Sequence, residues 1–192
     1  GLPLPWVSEQ REEFKQYLMK NKTVDFHFKG KDYHIRILGA DIYPQGFGAI
    51  VNHLSDFSGI NMLCDIGNGT MNIMFVNDKK PNPRRCFTEK FGTHQCMLQI
   101  RENLMRAHHA ELPEEMITRM LRFGTADIDG EYLKTITDTV REYVEGIFRR
   151  LREHGYDPKL MKLYVIGGGG CLFRNFAEYD ESRVTINDDI CA

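Results

Sequence analysis

Four consecutive glycines, Gly167 to Gly170, follow directly on the apolar run Met161-Lys162-Leu163-Tyr164-Val165-Ile166. Few folds accommodate such a run. A buried strand must end there, and residues without Cβ let another stretch of backbone, or a ligand, come close. A helical pattern, Cys171-Leu172-Phe173-Arg174-Asn175-Phe176, resumes at once. A second glycine turn lies about 100 residues earlier. Ile60-Asn61-Met62-Leu63-Cys64-Asp65-Ile66 reads as a buried strand ending in an acid. Gly67-Asn68-Gly69-Thr70 turns the chain, and Met71-Asn72-Ile73-Met74-Phe75-Val76 returns it, closed by Asn77-Asp78.

Glycines at strand ends also let backbone N–H groups approach an anion. The Asp65 carboxylate cannot itself hold phosphate, because like charges repel. It can hold Mg²⁺ through water or orient an attacking water. An acid followed by a glycine hairpin is therefore a sensible metal–nucleotide constellation. Each turn alone has a plainer reading: Gly-Asn-Gly as a tight hairpin, and the four-glycine run as a close strand–helix crossing. The run is neither the GxGxxG of a dinucleotide fold nor a phosphate loop ending in Lys-Ser or Lys-Thr, since Cys171-Leu172-Phe173 follows it.

The rest of the chain supplies cover for these strands. Residues 8–20 give a short amphipathic helix with Ser8 as N-cap and Phe14, Tyr17 and Leu18 on one face. Val24, Phe26 and Phe28 alternate with polar residues, Gly30-Lys31 turns, and Tyr33, Ile35 and Ile37 alternate again, which predicts a hairpin. Asp41-Ile42-Tyr43 reads as a short strand running into Pro44-Gln45-Gly46. Phe47 to Phe57 then reads as a helix with Ile50, Val51 and Leu54 facing inward. Three more helices are expected, from Gly92 to Ala107, from Pro113 at N1 to about Phe123, and from about Asp129 to His154. The last carries one apolar stripe, Ile136, Val140, Val144, Ile147 and Leu151, and is closed by Gly155 with Pro158 beyond. Arg183 to Asn187 predicts a final short strand, and Asp188 to Ala192 is too short to assign.

Composition narrows the function classes. Lys plus Arg total 25 and Asp plus Glu total 27, a net charge of -2, which argues against a dedicated polyanion binder. No apolar run approaches the ~20 residues of a membrane helix, and Gly1 to Trp6 lack a charged leader and apolar block. The chain begins with Gly1 rather than Met, read as a cut or processed end of a longer natural protein. Five cysteines, at positions 64, 86, 96, 171 and 191, form no CxxC pair, which speaks against zinc. Cys64 and Cys171 sit in or beside apolar runs as buried, reduced thiols, and a reducing cytoplasm is the expected location. His108-His109 suits a helix end rather than a metal. Arg149, Arg150 and Arg152 read as a solvated face or a subunit contact, and Lys79-Lys80 with Arg84-Arg85 as a loop around Pro81 and Pro83.

Taken together and in this order, the two turns resemble the second half of the actin-like ATPase fold, shared by actin, sugar kinases and heat-shock ATPases. The nearest likeness is to ParM/StbA-type plasmid-segregation ATPases. Leu63 to Asn72 is similar to their DxGxxTxD phosphate loop, and Tyr164 to Gly169 to their adenosine motif. Tyr43-Pro44-Gln45-Gly46-Phe47-Gly48-Ala49 resembles their connecting segment. The resemblance implies an α/β fold, a ribonuclease H-like mixed five-stranded sheet with flanking helices. It divides the chain into a connecting segment with helix and β-hairpin, residues 1–45, and a nucleotide-binding lobe, residues 46–192, with a helical insertion around 108–128.

The same resemblance assigns roles. Asp65 would bind Mg²⁺ through water and help polarise the attacking water, and Gln45 would orient that water, although Gln45 also suits an ordinary helix start. Gly67, Asn68, Gly69 and Thr70 would cradle the phosphates of ATP or GTP. Gly167, Gly168, Gly169 and Gly170 would let the nucleoside lie against the backbone. Asn72 stands where the family usually has a second Asp. Nothing upstream of Asp65 supplies the family's first DxG phosphate loop, so the chain reads as one lobe, with weak nucleotide binding and negligible turnover alone. The implied partners are further copies of the whole protein in a filament and an adaptor protein bound to DNA, with neither direct nucleic acid contact nor membrane. Two other readings stay open: a lobe of a sugar or acetate-type kinase, and a non-catalytic interaction domain that kept the fold.

Overall fold

A computed structural model describes residues 4–187, and the prediction for Asp188 to Ala192, with Cys191, lies outside the described residues. The elements follow in the order α1 (Leu4–Met19), β1 (Thr23–Phe28), β2 (Lys31–Arg36), a 3-10 helix (Phe47–Asp56), β3 (Ile60–Ile66), β4 (Met71–Asn77) and β5 (Lys80–Glu89). Then come α2 (Thr93–His108), α3 (Glu114–Phe123), α4 (Gly130–Glu153), β6 (Lys162–Ile166), α5 (Gly170–Phe176) and β7 (Val184–Asn187).

Five strands form one mixed sheet in the order β5-β4-β3-β6-β7. β3–β4 and β4–β5 are antiparallel, while β3–β6 and β6–β7 are parallel. Alternation along β3 divides its side chains between two faces. Met62, Cys64 and Ile66 join the larger core under the helices, with Ile73, Phe75, Leu163 and Val165 from the neighbouring strands. Leu63 joins a smaller core under the 3-10 helix, with Met74, Val76, Tyr164, Ile166, Phe47, Ile50 and Phe57. Both faces are covered, which is why β3, β4 and β6 read as continuous apolar runs rather than alternating ones.

α4 is the main strut of the helical layer. Asp129 caps it by accepting from the Glu131 and Tyr132 N–H groups, and the stripe from Ile136 to Leu151 is fully buried. Cys64 and Cys96 are buried and free, and burial pushes the Cys96 thiol up to about 12, far from reactivity. No described helix is long and apolar enough to cross a membrane.

Several sequence expectations need correction. Helix α1 begins at Leu4, so Ser8 lies within it rather than capping it, and Tyr17 and Leu18 are exposed. The hairpin turns at Lys29-Gly30, both at positive φ, rather than at Gly30-Lys31. Asp41 to Tyr43 forms no strand. The helix from Phe47 is a 3-10 helix that buries Phe47 and Ile50 but leaves Val51 exposed. Pro113 caps α3 instead of occupying N1. Of the supposed loop from Lys79 to Arg85, only Lys79 lies in a turn, and Lys80 to Arg85 belong to strand β5. Pro81 and Pro83 are tolerated because β5 is an edge strand, and the β4–β5 register shifts between Met74 and Val76. β5 is tied down where Glu89 meets His154 Nε2 at 2.6 Å and Phe87 stacks on the same ring.

This packing predicts that Ile147→Ala, in the centre of the α4 stripe, lowers unfolding free energy by about 2–5 kcal/mol in urea titration. Glu145→Ala, on the exposed side of the same turn, should change it by less than about 0.5 kcal/mol.

Candidate functional site

At the C-terminal ends of β3 and β6 three separate parts of the chain meet. Alternation turns Asp65 to the side of Leu63, the face covered by the 3-10 helix, and the turn leading into that helix brings Gln45 and Gly46 to it. A Cβ built on Gly46 would stand 3.4 Å from Asp65 Oδ2. The β3–β4 turn and the turn after β6 close the rest. The resulting cleft, about 370 Å³, is lined by Gln45, Asp65, Gly67, Asn68, Thr70 and Asn72, together with Thr93 and Gly167 to Gly169. Of the sequence-predicted site residues, Gly69 lies exposed at the turn tip beside the cleft, and Gly170 is buried as the first residue of α5.

The glycines divide by what surrounds them. Gly169 donates its N–H to the Ile66 carbonyl at 2.9 Å, and a Cβ there would fall 2.2 Å from Ile66 Cγ2. Gly167, at φ +83, would place a Cβ 2.6 Å from Asp65 Oδ1. Gly92 would place one 2.4 Å from the Asn68 carbonyl oxygen. These three are required by packing within the chain. Gly69 and Gly168 are not: a Cβ at either would meet nothing within 4 Å, and neither has a positive φ. Among the described residues, the N–H groups of Asn68, Gly69 and Gly168 find no acceptor. Unspent donors and open backbone at the lip of a cleft suit an anionic ligand.

Helix α2 starts against the same turn. Thr93 and His94 donate their N–H groups to the Gly67 and Asn68 carbonyls at 3.0 and 2.8 Å. Gln95 Oε1 accepts from Gly92 N–H at 2.8 Å, and the buried Tyr143 hydroxyl donates to the Gly92 carbonyl at 2.7 Å. The first donors of α2 are thereby used to hold the turn rather than a ligand. Thr93, whose hydroxyl donates to Asn68 Oδ1 at 3.3 Å, escapes sequence reasoning. Its only sequence signal is the Gly92-Thr93 helix start, which does not say where that start docks.

Asp65 is the one carboxylate among the cleft-lining residues, with 6% of its surface exposed. Burial raises its pKa, and a hydrogen bond from Asn72 pulls in the opposite direction. Asn72 in turn accepts from the Thr88 hydroxyl at 2.9 Å, so an amide at this position orients the acid without adding charge. The described residues contain no cluster of three or more His, Cys, Asp or Glu that could cage a metal. A second cavity of about 600 Å³ adjoins the cleft, sharing Asn68, Thr93 and Gly168 and extending to Glu114, Thr118 and Arg122.

Two outcomes follow. Gly92→Ala should be strongly destabilising in urea titration, because backbone blocks its Cβ, whereas Gly69→Ala and Gly168→Ala should stay within about 1 kcal/mol of the parent. Asp65→Asn should raise stability at pH 7. The native pKa is raised, so this site contributes most below the usual aspartate range, and that contribution is lost as pH climbs through the raised value. The amide removes the loss, and urea titrations of both proteins at pH 4 and pH 7 measure it.

A scan against protein-family models and a search of curated proteins find no match. Solved structures do match. The Alp12 filament structure aligns over 98% of this chain and 61% of its own, with a TM-score of 0.72 and 18% identity. A 15-stranded ParM filament from Clostridium botulinum aligns over 98% and 61%, with a TM-score of 0.64 and 18% identity. Bacillus thuringiensis ParM with ATP aligns over 97% and 60%, with a TM-score of 0.61 and 14% identity. The chain thus spans about three-fifths of the length of the structures it matches. With its mixed five-stranded sheet and flanking helices, it has the fold of an actin-like lobe of the ParM type.

Proposed function

We propose that this chain is the nucleotide-binding lobe of an actin-like, filament-forming ATPase that serves plasmid or mobile-element DNA segregation. The observation that carries the reading is the cleft itself. Residues from three distant segments, Gln45, Asp65 to Thr70 and Gly167 to Gly169, converge on one space with unspent backbone donors and a single buried carboxylate. The likeness to ParM filament structures supports the same reading.

Each group has a task it can perform. The N–H groups of Asn68 and Gly69 would donate to phosphate oxygens, and the open face of Gly168 would let a nucleoside rest in the adjoining cavity. Asp65 would hold Mg²⁺ through water, an arrangement that needs one carboxylate plus phosphate oxygens rather than a protein cage. Bound Mg²⁺ would supply charge neutralisation for phosphoryl transfer. It would also reverse the effect of burial on Asp65, favouring the carboxylate. Gln45, on the turn that packs against Asp65, would orient a water by accepting and donating hydrogen bonds. Residues 1–45 serve in this reading as the connection to the remainder of the protein. Hydrolysis requires closure of a second lobe over the phosphates, so this chain alone should not turn over.

Titration calorimetry with Mg-ATP and Mg-GTP tests the reading. Weak but saturable binding is expected, abolished by Asp65→Ala and reduced by Gly168→Ala without loss of fold, with no phosphate release above background. Phosphate release that disappears in Asp65→Ala would contradict the one-lobe account. Absence of any nucleotide binding would favour an interaction domain instead.

A further inference from the structure

One rung of the sheet carries three polar side chains in a row beneath the cleft. Asp65 on β3 stands opposite Asn72 on β4, and Asn72 stands opposite Thr88 on β5. Alternation puts all three on the face covered by the 3-10 helix. The next rung on that face, Leu63, Met74 and Cys86, is apolar and packs in the smaller core.

The row has a direction. An ionised carboxylate can only accept, so the Asn72 amide must turn its NH2 to Asp65 and its carbonyl away. The Thr88 hydroxyl meets that carbonyl as a donor at 2.9 Å. Backbone without side chains flanks both Asp65 oxygens: a Cβ on Gly167 would fall 2.6 Å from Oδ1, and one on Gly46 3.4 Å from Oδ2. The hold on the carboxylate's orientation therefore comes along the rung, from Asn72.

Thr88 is itself held from the opposite face. β5 is an edge strand whose register shifts near Met74, but its last residues pair regularly with β4. The residues on either side of Thr88 are clamped to the end of α4. Phe87 stacks on the His154 ring with 4.3 Å between centroids, and Glu89 meets His154 Nε2 at 2.6 Å.

We propose that Thr88 is a positioning residue of the cleft, acting through Asn72 to hold the Asp65 carboxylate in the orientation that meets a nucleotide's hydrated Mg²⁺. The inference rests on the nucleotide reading above. Thr88 lies 23 positions from Asp65 in the chain and lines no part of the cleft, so its contribution runs through the amide alone.

The test compares the chain with Thr88→Val, which keeps the branched shape suited to a strand and removes the donor. Thr88→Ser restores the donor, and melting curves confirm that each variant folds. The first readout is the Asn72 side-chain amide in a ¹⁵N–¹H NMR spectrum without nucleotide. Its two proton signals should shift and exchange faster with water in Thr88→Val, and return toward the parent in Thr88→Ser. The second readout is the gain in ATP affinity that Mg²⁺ provides, taken from calorimetry with Mg²⁺ and with EDTA. Thr88→Val should cut that gain by about tenfold, as loss of an outer partner of a metal site does, and leave metal-free binding unchanged. Asn72→Leu should do the same, and the two substitutions together should cost no more than either alone. Amide signals unmoved by Thr88→Val, a Mg²⁺ gain left intact, a loss that Ser does not rescue, or additive losses would each overturn the proposal. A parent chain that binds no nucleotide would instead defeat the reading of the cleft, which the amide signals do not depend on.

Discussion

The architecture depends on how closely backbone crosses backbone at the end of β3. Ile66 is the pivot. Its carbonyl takes the Gly169 N–H, and its side chain lies where a Cβ on Gly169 would be. One residue on, the Gly67 and Asn68 carbonyls take the first donors of α2, and Gly92 fits beneath them. Strand β3, the returning turn, α2 and α5 are thus fastened at one place by contacts that tolerate no side chain. Tyr143 carries the fastening into α4 through its bond to the Gly92 carbonyl and its stacking on Phe91 at 4.2 Å.

The same crossing shapes the cleft. Because the packing glycines bring the two turns together, Asp65 is buried between them, at a cost to stability that its Asn72 bond offsets only in part. A carboxylate held this way is a local conflict in an otherwise consistent fold, and such conflicts mark functional sites. The open glycines make the complementary point. Gly69 and Gly168 satisfy no internal packing need, and in the proposed reading their open backbone is what a ligand would approach.

Much of this was legible in the sequence because apolar runs and glycine turns are local signals. Asn61 to Ile66, Ile73 to Val76 and Leu163 to Ile166 are buried on both faces, and the α4 stripe has an unambiguous period. The glycine turns could be seen, but not that they touch, nor that Gly167, Gly169 and Gly92 serve packing while Gly69 and Gly168 stay open. β5 was hidden by Pro81 and Pro83, whose effect depends on edge position, a property of the sheet and not of the segment. Thr93 was hidden because its role comes from where α2 docks. Tyr17, Leu18 and the alternating apolar residues of the β1–β2 hairpin are exposed, because a pattern gives periodicity but not the partner.

The central claim is that the two glycine turns form one half of a nucleotide cleft. Backbone amide NMR of the chain, titrated with Mg-ATP, tests it most directly. The account predicts shifts concentrated at Asn68 to Thr70 and at Gly167 to Gly169, with little change around Tyr179 and Val184 at the far end of the sheet. Shifts that avoid both turns, or a spectrum unchanged at saturating nucleotide, would contradict it.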